Sequence, residues 1–363
     1  MSNRLATIYR QRTLADSGEE TYDLNLREPI TALYVEFRNT NGATDNQNNH
    51  IADDVDEIQV VDGSDVLFSM DGEEFVAYQH YLGYKEHGSI WNELAGLSQV
   101  LSGWIPFGRF RNDPVYGLDP MRFRNLQVRI KWSYSAAVTA WVTGSARFSL
   151  FADLMLGASA PMGLIMAKEI KSWTTAASGD ERTELPTDHP YLGLLIQAFV
   201  AGTAPDSIIT DLKVTVDTDR LILVNNDVTD LLKLMDLWYG AMTYRHTWHA
   251  TNGGTIRTVP KKDEEVVCMR SDGNDTVFGY PSVGVGQAAI SVYAAGSAYG
   301  SKANINGIVQ GFAPYGCLYW PFGRHAEPQE WLQVGDFRRL EAVCTQGTAS
   351  AEGKIVTVQA RNY

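Results

Sequence analysis

Cysteine is scarce in this chain: Cys268, Cys317 and Cys344 are the only three among 363 residues. An odd number, at spacings that match no zinc or redox motif, excludes a disulfide framework and leaves small buried apolar residues or free thiols in a reducing compartment. Long apolar runs are lacking too. The most apolar stretch, Leu150 to Ala167, is broken by Asp153, Gly157, Pro161 and Gly163, so no transmembrane helix is expected. The opening residues, MSNRLATIYRQRT, carry no apolar segment of the kind that forms a secretory signal. Positive charge is in short supply: 43 acidic side chains face 30 basic ones, for a net charge of −13, and acids outnumber bases in both halves. A basic nucleic-acid surface is therefore disfavoured, because the mean field repels phosphate.

Catalytic signatures are missing as well. There is no G-x-S-x-G elbow, no H-E-x-x-H and no cysteine-centred motif. His246 and His249 stand three apart in YRHTWHATNGG without an acidic third ligand, so a loop-packing role is expected rather than a metal. His189 and His325 are isolated. Gly284 to Ala289 reads G-x-G-x-x-A, but no acid follows at the distance a dinucleotide fold requires. The acidic groups Asp53-Asp54-Asp56-Glu57, Asp71-Gly72-Glu73-Glu74 and Asp263-Glu264-Glu265 do not follow the EF-hand pattern. They are read as solvated surface, with weak metal sites between subunits as the alternative. No catalytic residue, cofactor or metal is expected.

What is present is a duplication. Residues 15–29, ADSGEETYDLNLREP, align without gaps with residues 176–190, AASGDERTELPTDHP, and each copy is followed by an apolar run, ITALYVEF or YLGLLIQAF. A second matched pair comes later in each half. WIPFGR (Trp104–Arg109) precedes FRNLQV from Phe123, and WPFGR (Trp320–Arg324) precedes FRRLEAV from Phe337. Two motif pairs in one order mark an internal repeat. The extra residues of the second copy fall in the glycine-rich stretch between Tyr244 and Tyr315.

The periodicity is mainly that of strands. Leu33, Val35 and Phe37 alternate with Tyr34, Glu36 and Arg38; Leu126, Val128, Ile130 and Trp132 alternate with polar neighbours; Leu212, Val214 and Val216 do the same. Asp62-Gly63 signals a hairpin, and Asp217–Asp219 stands at the matching place. One helix is predicted soon after each: Glu73–Tyr84, and Asp227–Gly240 with Asp227 as cap, Leu231, Leu234, Met235 and Trp238 on one face, and Gly240 as stop. In the PFGR segments, Pro fixes φ, Phe anchors in the core, Gly turns the chain and Arg binds a nearby carboxylate or carbonyl. Because Pro106, Phe107, Gly108 and Arg109 recur as Pro321, Phe322, Gly323 and Arg324, they are read as fold elements and not as an active site. Trp104 and Trp320 are expected in the two cores, with a carbohydrate-stacking platform as the alternative. Arg4, Arg10 and Arg12, with no acid before Asp16, form a short basic arm suited to an anionic partner.

Tandem β-domains with a helix in the same slot, an apolar linker and one large insertion resemble the double jelly-roll major capsid proteins of tailless icosahedral viruses, the lineage of adenovirus and the membrane-containing bacteriophages. The resemblance covers about residues 15–363 and rests on the duplication and the paired PFGR…FR segments. It implies a mainly β fold of two tandem eight-stranded jelly rolls: an arm at 1–14, a first roll at 15–157, a linker at 158–175, and a second roll at 176–363 with a tower-like insertion at about 244–315. It also implies a structural protein without enzymatic activity. Three copies would form a pseudo-hexameric homotrimer, and trimers would tile a capsid lattice with minor capsid or penton proteins. The arm would face an internal membrane or genome, and the tower a host receptor. The protein would be made in the host cytoplasm and reside in the virion. A carbohydrate-binding or glycan-hydrolysing tandem β-sandwich is the rival reading.

Overall fold

The computed structural model describes residues 2–44, 46, 49–83, 89–136, 140–157, 159–251, 255–270, 275–282, 286–294 and 302–363. The first half contributes β1 (Ser2–Thr13), β2 (Ser17–Asp23), β3 (Ile30–Thr40), β4 (Glu57–Asp62), β5 (Asp65–Met70), helix α1 (Gly72–Tyr81), the short β6 (Trp91–Asn92), β7 (Ser98–Pro106), β8 (Leu126–Ser133) and β9 (Arg147–Leu156). Its sheets have the strand orders β1-β9-β3-β7 and β2-β8-β4-β5. Apart from the β4–β5 hairpin, the successive strands of these two sheets alternate between them, which is the jelly-roll winding.

The second half repeats it with β10 (Gly163–Thr174), β11 (Asp180–Leu185), β12 (Tyr191–Phe199), the one-turn α2 (Pro205–Ile208), β13 (Ile209–Val216), β14 (Leu221–Asp227) and α3 (Val228–Tyr239). An insertion follows: β15 (Met242–Thr251), β16 (Thr255–Arg257), β17 (Pro260–Arg270), β18 (Asp275–Ser282), β19 (Gln287–Ala294) and β20 (Lys302–Pro314). The roll closes with β21 (Cys317–Pro321), β22 (Leu340–Gln346) and β23 (Glu352–Asn362). The orders β10-β23-β12-β21 and β11-β22-β13-β14 match those of the first roll strand for strand. The fold is a double jelly roll.

Local sequence accounts for these elements. In β3 the apolar set Leu33, Val35 and Phe37 is fully buried, while Arg38 is exposed, because successive side chains leave opposite faces of the sheet. Gly63, at φ +64°, makes the β4–β5 turn. Helix α1 begins with a reciprocal cap: the Glu74 N–H donates to the Asp71 carboxylate at 2.7 Å, and the Asp71 N–H donates to the Glu74 carboxylate at 3.1 Å. Asp227 caps α3 through the Thr229 N–H at 2.7 Å, and Gly240, at φ +73°, ends it.

Several expectations are corrected. Residues 2–13 are not a free arm but the edge strand β1, paired with β9 from Ser2–Leu156 to Thr13–Arg147. Ala6 and Ile8 pack on the core, and this weak alternation is masked in the sequence by the arginines. The supposed linker is largely β10, in which Leu164 to Ala167 are all buried, the continuous apolar pattern of a strand covered on both faces. On α3 the buried face is Val228, Leu231, Leu232 and Met235, and Trp238 is 49% exposed. Trp104 and Trp320 are half-buried, with Trp104 against Tyr34 and Trp320 against Trp238.

Candidate functional site: the junctions between the rolls

The PFGR segments leave β7 and β21 and close small loops by the same device. In the first roll Arg109 donates from Nε and from its own backbone N–H to Asp113 Oδ2 (2.6 and 3.0 Å) and from Nη2 to Oδ1 (2.7 Å). In the second roll the Arg324 backbone N–H and guanidinium both donate to Glu330 (3.0 and 2.9 Å). Each arginine holds its partner carboxyl below the usual carboxylate range, Glu330 down to about 2. A side chain at Gly108 would collide with the Tyr116 carbonyl, and one at Gly323 with the Glu330 carbonyl, so glycine is required by close approach at both. Phe107 is fully buried, and Phe322 packs at the edge of the core.

The two loops also meet. Arg109 Nη1 donates to the Ala326 carbonyl at 3.2 Å, and the Tyr116 ring lies 5.4 Å from that of Trp331.

A second contact between the rolls is a seam of strands. The edge strand β5 of the first roll pairs in parallel with the edge strand β10 of the second, Phe68 with Ala167 and Ser69 with Lys168. This fuses two four-stranded sheets into one of eight. The equivalent edges, β14 of the second roll and β1 of the first, end their sheets without a neighbour among the described residues. The register sets Val224 opposite Val214 as it sets Phe68 opposite Val60, so Val224 and Asn225 are the counterparts of Phe68 and Ser69. On the other edge the register sets Leu5 opposite Asp153 as it sets Ala167 opposite Val358, and Asp153 and Val358 are themselves equivalent, so Leu5 and Ala6 are the counterparts of Ala167 and Lys168. Ser69 and Ala167 are buried in the seam, whereas their counterparts Asn225 and Leu5 are exposed. Leu221 and Ile222 on β14, and Leu5 and Tyr9 on β1, are large apolar side chains left at least 41% exposed on these edges.

The third junction is a buried polar cluster where two loops of the first roll meet the insertion. Strand β6 pairs in parallel with β15, Trp91 with His246. His50, Glu93 and His246 converge there, all essentially inaccessible. Beside them Arg257 bridges Asp53 and Glu73, with 2.9 Å to Glu73, and Gln197 donates to Glu73 at 2.8 Å. Lys261, wholly buried, donates to the Thr258 carbonyl at 2.6 Å and lies over the Phe199 ring. Burial, then the Arg257 charge, lowers its ammonium to about 7. Burial also keeps His50 neutral, helped by Arg257 and His246. The acidic groups expected at the surface are therefore partly interior: Asp71, Glu73, Glu74 and Glu264 are buried or capped, and Asp54 accepts from Trp141 Nε1 at 2.5 Å.

Of the arginines assigned to an arm, Arg4 lies 4.0 Å from Glu28 and Arg12 3.5 Å from Glu20, and Arg10 is exposed on the same strand. Residues 284 and 285 of the glycine motif lie outside the described residues. The buried cluster was not legible beforehand. His50 and Glu93 sit in separate loops with no motif, and sequence spacing sets His246 with His249 instead.

No family profile matches the sequence, and no curated protein does. Solved structures do match the fold over nearly the full chain. The major capsid protein of STIV (Sulfolobus turreted icosahedral virus) superposes with a TM-score of 0.59 at 10% identity, covering 99% of this chain and 97% of that one. The capsid of the virus PBCV-1 gives 0.60 at 11% identity, with 99% and 93% covered. The major capsid protein of bacteriophage PM2 gives 0.54 at 9% identity, with 99% and 98% covered.

Proposed function

We propose that this chain is a structural major capsid protein whose three copies close into a ring of six rolls that tiles an icosahedral shell. The observation that carries the reading is the pair of open edges. The β5–β10 seam joins roll one to roll two within a chain, and β14 and β1 are the duplicated counterparts of those strands, with Asn225 and Leu5 exposed where Ser69 and Ala167 are buried. Repeating the same contact between chains, β14 of one against β1 of the next, is a head-to-tail interface. Such an interface closes when the rotation per roll divides the circle. Six rolls close it with three chains, and no strand edge of either type is left open.

The fold shared with capsid proteins over nearly their whole length supports the same role, as does the acidic net charge, which limits nonspecific aggregation at high concentration. In this arrangement the PFGR loops and the buried cluster brace the two rolls against each other, and the proposed activity is assembly, not catalysis. The insertion from β15 to β20 is the tower, and receptor or inter-capsomer contact belongs there. Contact with minor capsid or penton proteins belongs to the outer rim of the ring. With residues 2–13 in the sheet and two of their three arginines facing acids, the first strand serves the ring, and a membrane or genome contact through a free arm is not retained.

Light scattering on a sizing column, with negative-stain imaging of the peak, tests this. Three chains of 40.2 kDa with hexagonal outlines are expected. A monodisperse monomer at assembly concentrations overturns it.

A further inference from the structure

We infer that His50, Glu93 and His246 form a binding site for a divalent transition metal of the zinc class, which ties the first roll to the insertion of the second. Glu93 Oε1 lies 3.0 Å from His246 Nε2 and 3.8 Å from His50 Nε2, and the three donor atoms all fall within 4.8 Å of one another. Zinc bonds to nitrogen and oxygen of about 2.0–2.1 Å in tetrahedral geometry set ligand atoms about 3.3–3.5 Å apart, and the two measured separations bracket that value. Two imidazoles and one carboxylate are a zinc donor set with a fourth position left for water, whereas calcium and magnesium take oxygen ligands.

A second observation points the same way. His50 Nε2 is buried and has no hydrogen-bond partner among the described residues. Its Nδ1 lies 3.3 Å from the Tyr315 hydroxyl. In the tautomer that donates this proton to Tyr315, Nε2 turns a bare lone pair toward Glu93, an arrangement that a cation between them stabilises. The hydroxyl then fixes the ring as second-sphere partners do in metal sites. Trp91 and Trp248 pack on the histidine rings at 5.3 and 5.1 Å and shield the site from water. Arg257, beside the cluster, is neutralised by Asp53 and Glu73.

The ligands come from three places in the sequence: the segment between β3 and β4, the segment between β6 and β7, and strand β15. A bound ion therefore cross-links them whether or not the chain builds a shell.

The test uses full-length, untagged protein, stripped with chelator, re-equilibrated with zinc chloride, desalted and assayed by elemental analysis, with a parallel cobalt titration followed by visible absorption. One zinc per chain, low-coordinate cobalt bands and a rise in melting temperature with zinc are expected for the wild type. The zinc should be lost in His50→Gln and in Glu93→Gln and retained in His189→Ala. Absence of bound zinc in the wild type overturns the proposal. So does retention of the full equivalent by both Gln variants. If those variants fail to fold, the wild-type zinc equivalent and cobalt spectrum decide alone.

Discussion

Asp62 and Asp217 occupy the same turn of the two rolls and perform the same task. Asp62 Oδ1 accepts the backbone N–H groups of Arg124 and Asn125 at 3.1 and 2.6 Å, and Asp217 Oδ1 accepts those of Arg338 and Arg339 at 2.9 and 3.0 Å. The FR segment that recurs in the sequence is thus fixed through its backbone, by the hairpin at the end of β4 or β13. The hydrogen bonds run through the backbone N–H groups and not through the Arg124 and Arg338 side chains.

Removing either acceptor leaves two N–H groups without their partner. Asp62→Ala is expected to cost about 1.5 kcal/mol in urea unfolding, the low end of the range for hydrogen bonds to a charged group because these contacts are exposed, with Asp217→Ala shifting in the same direction. Arg124→Ala should be neutral by the same assay. Equal losses for the arginine and aspartate variants would show that the side chain of the motif matters after all.

The two PFGR arginines should differ in weight. Asp113 is fully buried and its partner Arg109 is 13% exposed, so Arg109→Ala strands a buried carboxylate and is expected to cost about 3 kcal/mol. Arg324 is 72% exposed and its pair with Glu330 is screened by solvent, so Arg324→Ala should barely move the melting temperature. Thermal melts of the two single variants at one pH check this. Matching losses would contradict the difference in burial.

Stability should fall between mildly acidic and mildly alkaline pH because of a carboxylate group at the seam. Glu169 on β10 faces Asp71 and Glu74 at the start of α1, Glu57 on β4 and Glu352 on β23, with Lys354 as the cation among them. Burial and these neighbouring carboxylates raise the Glu169 carboxyl to about 7. A raised carboxyl contributes stability that is complete below its unfolded pKa of about 4.3 and is lost as pH rises through the folded value. Glu169→Gln should therefore match the wild type at about pH 4 and exceed it at about pH 8 in chemical denaturation. An unchanged pH slope would remove Glu169 as the cause.

A charge on an open edge should block assembly without harming the fold. Ile222, 46% exposed on β14, is expected to be covered in the ring. Ile222→Lys should give a folded monomer with an unchanged circular dichroism spectrum, since edge lysines oppose strand addition. A trimer of normal mass from this variant would place the contact elsewhere.

Much of the fold was legible because it is written twice. Two copies of the 15–29 segment and of PFGR…FR located β2 with β11 and the loops after β7 and β21, and strict alternation marked β3, β8 and β13. What escaped had weak or conflicting local signals. In β1 the half-buried Ala6 and Ile8 are interleaved with arginines, and the partner strand β9 lies far along the chain. In β10 a continuous apolar run next to Gly157 and Pro161 reads as a linker until β23 and β5 are seen on either side of it. The buried cluster depends on loops meeting in space, and neither His50 nor Glu93 has a neighbour in sequence that announces it.

The central claim, that β14 of one chain repeats against β1 of the next the seam that β5 makes with β10, is tested most directly by cross-linking. Ser69 and Lys168 are paired within the chain, and Asn225 and Ala6 are their counterparts on the open edges. In an Ala6→Cys, Asn225→Cys double variant, mild oxidation should produce covalent dimers and closed trimers on denaturing gels, while each single variant should stay monomeric on the same gel. A double variant that remains wholly monomeric after oxidation, while its native mass is that of three chains, would contradict the proposed ring.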